Sequence, residues 1–323
     1  MSATHLAQCP VCGSSKVHPR LAGLYDDRYG FPGSFDLFTC AGCGHQFLDA
    51  AFTPEELRRL YTDFYPRTER SLDAWQPHRE LGALRLWLAR GRNAVFRWVP
   101  RGVKVLDVGC GFGESLGYHR ARGCEVWGVE TDENIQRVAE RFDFKVRVGV
   151  FRAADFPRDY FDFVTLDQVI EHVADPVTLL RDAAAALRPG GTVLVSTPNA
   201  RSLMARALGR RWVHWHAPYH LQLFSRHSLA AAAEAAGLRV RWCRNLTSPQ
   251  WYHFQWLHFL SRPAPGVPSA FWTTGRAWPR TRWLARKFLS GLNRLGFNHA
   301  VSFVFDHLGQ GDNLVMALER THG

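Results

Sequence analysis

Nowhere in the 323 residues does an apolar run approach the roughly 18 residues that a membrane-spanning helix needs. The uncharged stretch from Asn245 to Ser261 is interrupted by Gln250, His253, Gln255 and His258. The N-terminus, MSATHLAQCP, lacks a basic segment leading into an apolar one, so no secretory signal is expected and a cytoplasmic protein is the default reading. Acids are nearly missing from one part of the chain. Between Ala183 and Phe305 stand 16 Arg and Lys but a single acid, Glu234, so this stretch is +15 in a chain of +11. That asymmetry suits a solvated Arg-rich face or an anionic partner: a phosphorylated small molecule, nucleic acid or a membrane surface. Apolar residues at 46% and charged residues at 21% exclude disorder over most of the length.

What is present begins with cysteine. Four of the seven fall in two pairs, Cys9/Cys12 and Cys40/Cys43, with 27 residues between them. Two residues inside each pair allow both thiolates to meet one tetrahedral metal, and a hairpin closes the gap. Structural zinc is the expectation. Four thiolates close the coordination shell, so that zinc would not be catalytic. His18 and His45 are spare, and Cys110, Cys124 and Cys243 read as scattered apolar residues.

After this module, Thr53-Pro54-Glu55-Glu56 reads as a capped helix start. The polar, proline-flanked stretch 66–77 reads as a linker, and Glu80 to Val99 as a helix with Leu81, Leu84 and Leu88 on one face. The centre alternates apolar runs (103–108, 126–129, 146–148, 161–166, 193–197) with helical patterns, which implies α/β architecture on a doubly wound parallel sheet. The first run ends in Asp107-Val108-Gly109-Cys110-Gly111-Phe112-Gly113, and the second ends at Glu130. A glycine turn after one strand and an acid at the end of the next suit an adenosine-containing cofactor, NAD or S-adenosylmethionine.

VLDVGCGFG, VWGVE, FDFVTLDQVIEHVADP and LRPGGTVLVSTPN together resemble the successive motifs of class I S-adenosylmethionine-dependent methyltransferases. CPVCGS, CAGCGHQFLD and TPEELRRLYTDFY resemble the zinc-knuckle leader carried by many bacterial members of sugar and glycan type. The resemblance implies a Rossmann-like seven-stranded sheet whose last strand, near GDNLVMALER, is antiparallel. It implies that Asp107, Gly109, Gly111 and Gly113 line the cofactor and that Glu130 binds the ribose hydroxyls. Val150 and Phe151 would sit by the adenine, and Asp167 and Gln168 by the methionine part. The implied domains are a zinc-binding module at 1–50, a helix and linker at 51–79, the cofactor-binding core at 80–245, a Trp/Arg-rich cap insertion at 246–310 and the closing strand at 311–323.

Methyl transfer needs alignment, exclusion of water and, for many acceptors, a base. His172 and His216 are candidates. His220 is another, by partial match to the YHEH-type segment of related sugar C-methyltransferases; Tyr219 and Pro218 depart from that pattern. The expected acceptor is a sugar, nucleotide-sugar, glycan or similar small anionic molecule, methylated at O or C, with Arg211 and Arg226 as anion contacts. An RNA methyltransferase or a non-catalytic binding protein on this scaffold are the alternatives; nucleic acid is disfavoured because no RNA-binding module is recognisable. Within the insertion, Arg280–Leu295 reads as a helix with Leu284, Phe288 and Leu292 on one face, acting as a cap, a lid or a peripheral membrane contact.

Overall fold

The computed structural model describes residues 8–50, 52–65, 71–273 and 282–320. Part of the expected linker (66–70), the start of the expected 280–295 helix, and Arg276 and Trp278 lie outside the described residues.

Three antiparallel strands open the chain: β1 (Val17–Leu24), β2 (Phe35–Cys40) and β3 (Gln46–Asp49). Cys9 and Cys12 precede β1, while Cys40 ends β2 and Cys43 sits in the turn to β3, so the meander itself brings the pairs together. Helix α1 (Pro54–Arg59) starts as expected, with a capping box between Thr53 and Glu56. The helix expected over 80–99 is broken. Only α2 (Ala83–Leu88) is α-helical, and two 3₁₀ turns follow, Gly91–Asn93 and Val95–Trp98. Arg90 takes a left-handed conformation (φ 51°) that ends the helix. Val95, Phe96 and Val99 then turn into the core, leaving Leu84 and Leu88 exposed instead of forming the buried stripe. In the expected linker, Trp75 stacks on Phe142 at 4.2 Å and its Nε1–H donates to Phe112 O at 2.8 Å, so this stretch braces the glycine turn.

The main sheet is built from β4 (Lys104–Val108), β5 (Glu125–Glu130), β6 (Lys145–Val148), β7 (Phe161–Asp167) and β8 (Leu187–Pro198). Helices α3 (Glu114–Arg120), α4 (Asn134–Phe142) and α5 (Pro176–Ala186) form crossovers. Beyond β8 come α6 (Leu203–Leu208), the two-residue β9 (Gln222–Leu223), α7 (Arg226–Ala235) and β10 (Leu238–Asn245). The insertion folds as α8 (Pro249–Ser261), α9 (Trp283–Arg294) and α10 (Phe297–His307), and β11 (Asn313–Arg320) closes the sheet. The seven strands run in the order β10-β11-β8-β7-β4-β5-β6, with β11 antiparallel to both neighbours and the other pairs parallel. This is the Rossmann-like methyltransferase fold. The order reverses between β4 and β7, and ligands belong in the crevice at their carboxyl ends.

The two sheets are tied together. β3 pairs antiparallel with β9, making β9 the fourth strand of the N-terminal sheet. Beside that seam His45 is buried, and its Nε2–H donates to Gln222 Oε1 at 2.8 Å. It is therefore engaged away from the cysteines. In the insertion, α9 packs against α8 and α10. Its Leu284 and Phe288 are 72% and 65% exposed, so these two members of the expected apolar stripe face outward, while Leu292 is half-buried.

Candidate active site and metal centre

The chain turns sharply after β4. Gly109 (φ +74°) leaves no room for a side chain, since a Cβ there would meet Val169 Cγ2 at 2.4 Å. Gly111 (φ +57°) faces open space, so a ligand can approach the backbone there. Glu130 ends β5 with its carboxylate fixed by backbone N–H groups. Oε2 accepts from Gly111 N at 2.8 Å, and Oε1 accepts from Thr131 N at 2.7 Å and Asp132 N at 3.0 Å. Oε1 also accepts from Thr131 Oγ1 at 3.1 Å, whereas Oε2 has a single donor and keeps a lone pair for a ribose hydroxyl. The residues present thus fit the cofactor.

Asp107 is buried, and its carboxylate accepts from the hydroxyls of Ser115 and Thr165. Asp167 ends β7 and accepts from Ser196 Oγ. Gln168 Nε2 donates to Ser196 Oγ at 3.0 Å and Asn313 Oδ1 at 2.9 Å. Burial pushes both the Asp107 and Asp167 carboxyls up to about 6. S-adenosylmethionine is cationic at its sulfonium and ammonium, so it favours the ionised acids. Its affinity is therefore expected to be full above that range and to fall as pH drops through about 6, with proton release on binding below it. Calorimetry in two buffers of different ionisation heat reads both. The Glu130→Ala variant is expected to lose about 1.5–3 kcal/mol of cofactor affinity, the worth of charge-assisted hydrogen bonds, measured the same way.

The adenine expectation divides. Val150 is exposed after β6. Phe151 is buried in the hydrophobic core against Phe156, 5.7 Å between ring centres, so it supports the site wall from behind.

Past β7 the structure brings the three candidate histidines together. The His172 and His220 rings are 4.7 Å apart, and His216 and His220 are 4.8 Å apart. His172 Nδ1 lies 3.0 Å from Tyr219 O, and His220 Nδ1 lies 2.8 Å from His214 O. A carbonyl only accepts, so both Nδ1 atoms carry the proton and both Nε2 atoms hold a free lone pair. Burial depresses all three imidazoles, His172 to about 4 and the other two well below their ordinary value, so the rings are neutral bases at neutral pH. Glu171 is buried beside them. Its Oε2 accepts from Thr197 Oγ1 at 3.0 Å, its Oε1 has no partner, and burial pushes the carboxyl up to about 8. Ligand atoms of Glu171, His172 and His220 lie within 4.8 Å of one another, near enough to share a proton or a cation. Gln168 (φ +57°) and His216 (φ +40°) are non-glycine residues held in the left-handed region by the packing around them.

Beside the histidines, three tyrosines of the N-terminal half meet Tyr219. Tyr29, Tyr61, Tyr65 and Tyr219 pack edge-on or tilted at 5.3–5.8 Å. Asp26 shapes this wall: its carboxylate accepts the N–H groups of Arg28, Tyr29 and Phe31, a tight turn that aims Arg28 and Tyr29 toward the histidines. Arg28, the four tyrosines and Glu171 are absent from the expected site. Their signals were a cysteine gap longer than a hairpin needs, filled by Asp26-Asp27-Arg28-Tyr29, and the acid adjoining His172. Arg211 and Arg226 do not belong to this site. Arg211 lies over the Phe259 ring, and Arg226, at the start of α7, donates to Cys243 O on β10.

At the cysteine quartet, Sγ atoms of Cys9 and Cys43 are 3.6 Å apart and those of Cys12 and Cys40 are 3.5 Å apart, with all four within 4.8 Å. Sulfurs at 2.3 Å from one tetrahedral zinc stand about 3.8 Å apart, whereas a disulfide brings them to about 2 Å. Cys9 accepts the backbone N–H groups of Val11 and Cys12, and Cys40 those of Gly42 and Cys43. The quartet has the spacing and chemistry of a closed zinc site.

A family model described as a methyltransferase domain matches residues 52–241. The ubiquinone biosynthesis O-methyltransferase of Stutzerimonas stutzeri is 31% identical over 169 residues, 48% of this chain and 72% of that protein. Its counterpart in Aeromonas salmonicida is 28% identical over 182 residues, 52% of this chain and 74% of that protein. An S-adenosylmethionine-dependent methyltransferase from Archaeoglobus fulgidus aligns with TM-score 0.45 at 20% identity, covering 74% of this chain and 95% of that one. These curated relatives are named for a ubiquinone-pathway O-methylation, not for the sugar and glycan acceptors that the zinc leader suggested. With more than half of its length inside that family, the chain belongs to the S-adenosylmethionine-dependent methyltransferases.

Proposed function

We propose that this methyltransferase acts on a hydroxyl oxygen of a small ring-shaped acceptor, with His220 as the base. The observation that carries the reading is the pair of free Nε2 lone pairs on His172 and His220, fixed by Nδ1–H bonds to backbone carbonyls beside the end of β7. S-adenosylmethionine supplies an electrophilic methyl group. The hydroxyl proton passes to Nε2, the new O–C bond forms as the S–C bond breaks, and S-adenosylhomocysteine leaves. The tyrosine wall suits a flat ring face and keeps water out. A phenolic ring agrees with the relatives' O-methylation; a sugar ring agrees with the partial match around His220. Labelled methyl transfer into catechols, hydroxybenzoates and nucleotide-sugars, with the methylated atom fixed by mass spectrometry and NMR, tests this. A carbon-methylated product would sink it.

We further propose that Cys9, Cys12, Cys40 and Cys43 hold one structural zinc, on the sulfur geometry above. A peripheral contact with anionic lipid is supported by the outward faces of α9 and α10: Leu284, Phe288, Leu295, Phe297, Val304 and Leu308 are all exposed beside Lys287 and Arg294. Flotation is expected with phosphatidylglycerol vesicles and not with phosphatidylcholine ones, and to fall when Leu284 and Phe288 are both changed to Ser.

A further inference from the structure

A buried charge is ordinarily paired. Arg28 is 4% exposed, yet it pairs with no carboxylate among the described residues. The adjacent Asp27 feels the charge of Arg28, but its close contacts are to His258 Nε2 at 3.1 Å and Arg262 Nε at 3.5 Å. Trp272 covers one face of the guanidinium at 4.2 Å, Nη2 donates to Val213 O at 2.6 Å, and the side chain also hydrogen-bonds the Tyr29 hydroxyl. Nε has no partner. Three more buried polar atoms around the same site lack one: His214 Nε2, His216 Nε2 and Glu171 Oε1. Such atoms are nearly always satisfied, so a cluster of residues that leaves several of them unpartnered is a candidate place for a bound group. The field of Arg28 reaches His172, His214, His216, His220, Tyr29 and Tyr65, in each case in the sense that favours negative charge.

We infer that Arg28, with His214 and His216 beside it, is the subsite for an anionic substituent of the acceptor, a carboxylate or a phosphate. This rests on the hydroxyl acceptor proposed above and adds to it: the hydroxyl meets His220 while the acid on the same molecule meets Arg28. A guanidinium presents paired donors to either oxyanion. The clamp of Val213 O and Trp272 holds the guanidinium in one orientation before the ligand arrives. The cation that selects the acceptor is thus a single buried residue of the N-terminal module, and not the basic surface of the second half.

The test is calorimetry on the full chain saturated with S-adenosylhomocysteine, titrating benzoate, phenyl phosphate and neutral benzamide. At least one anion is expected to bind about tenfold tighter than benzamide. Which anion does so separates a carboxylate acceptor from a phosphorylated one. In Arg28→Gln the gap is expected to close with S-adenosylhomocysteine affinity retained. Should that variant fail to hold S-adenosylhomocysteine, Arg28→Lys is read in its place: it keeps the charge without the fork, and the gap narrows. Equal affinities in the natural protein, or a gap unchanged by substitution, overturn the inference and leave Arg28 as a clamp between Val213 and Trp272. Binding is read without turnover, so this outcome is independent of the methyl-transfer screen.

Discussion

Turnover in His220→Ala is expected to fall by roughly 10²–10⁴-fold, the range in which a positioned general base contributes. The expected loss is in kcat, because the residues expected to hold the cofactor, from Asp107 to Gly113 and Glu130, are other than His220. Affinity for S-adenosylhomocysteine serves as the control for folding. Burial, aided by the neighbouring His172 and Arg28, holds the His220 imidazole well below its ordinary value. The ring therefore stays deprotonated as pH falls through 6.5, and the natural protein should show no acid limb there from this group. Single-turnover rates across pH, with a saturating acceptor, read both effects. An unchanged rate in the alanine variant would transfer the role to His172, whose Nε2 is free in the same way.

Stripping the zinc, or changing Cys40 to Ser, is expected to lower the midpoint of thermal unfolding by roughly 10 °C or more. A closed site contributes many kcal/mol to a small module, and each is worth about 2–4 °C in a domain of ordinary size. Metal analysis should find one zinc per chain in the natural protein and none in the variant; a natural protein without zinc would remove the premise. The loss should not stay local. Cys40 ends β2, β3 pairs with β9, and β9 follows His220 by one residue. Acceptor turnover is expected to drop with the metal while cofactor affinity persists.

The cofactor half was legible in the sequence because its chemistry is local. Asp107, Gly109, Gly111 and Glu130 sit at the carboxyl ends of β4 and β5, strand ends whose apolar runs announce them. Phe151 packs in the core, and an aromatic residue after a strand reads alike whether it faces the ligand or the core. The 80–99 helix failed at Arg90, whose left-handed backbone no periodicity reveals. The acceptor half was mostly hidden. The histidines were visible one by one, but their meeting depends on the irregular path from Val213 to His220. Arg28 is 185 residues from the carbonyl it donates to. Counting charge pointed at Arg211 and Arg226, since composition weighs surface arginines and buried ones equally.

The seam between β3 and β9 also sets a timetable for synthesis. Phe47 pairs with Gln222, and Asp27 meets His258 across 231 positions. While the chain emerges from a ribosome, the first sheet can gather its cysteines early but keeps an unpaired edge until residue 223 appears. An exposed strand edge invites the wrong neighbour. Early capture of the proposed zinc would keep that edge short and rigid during the wait, so such a metal would have work in biogenesis before any acceptor is bound.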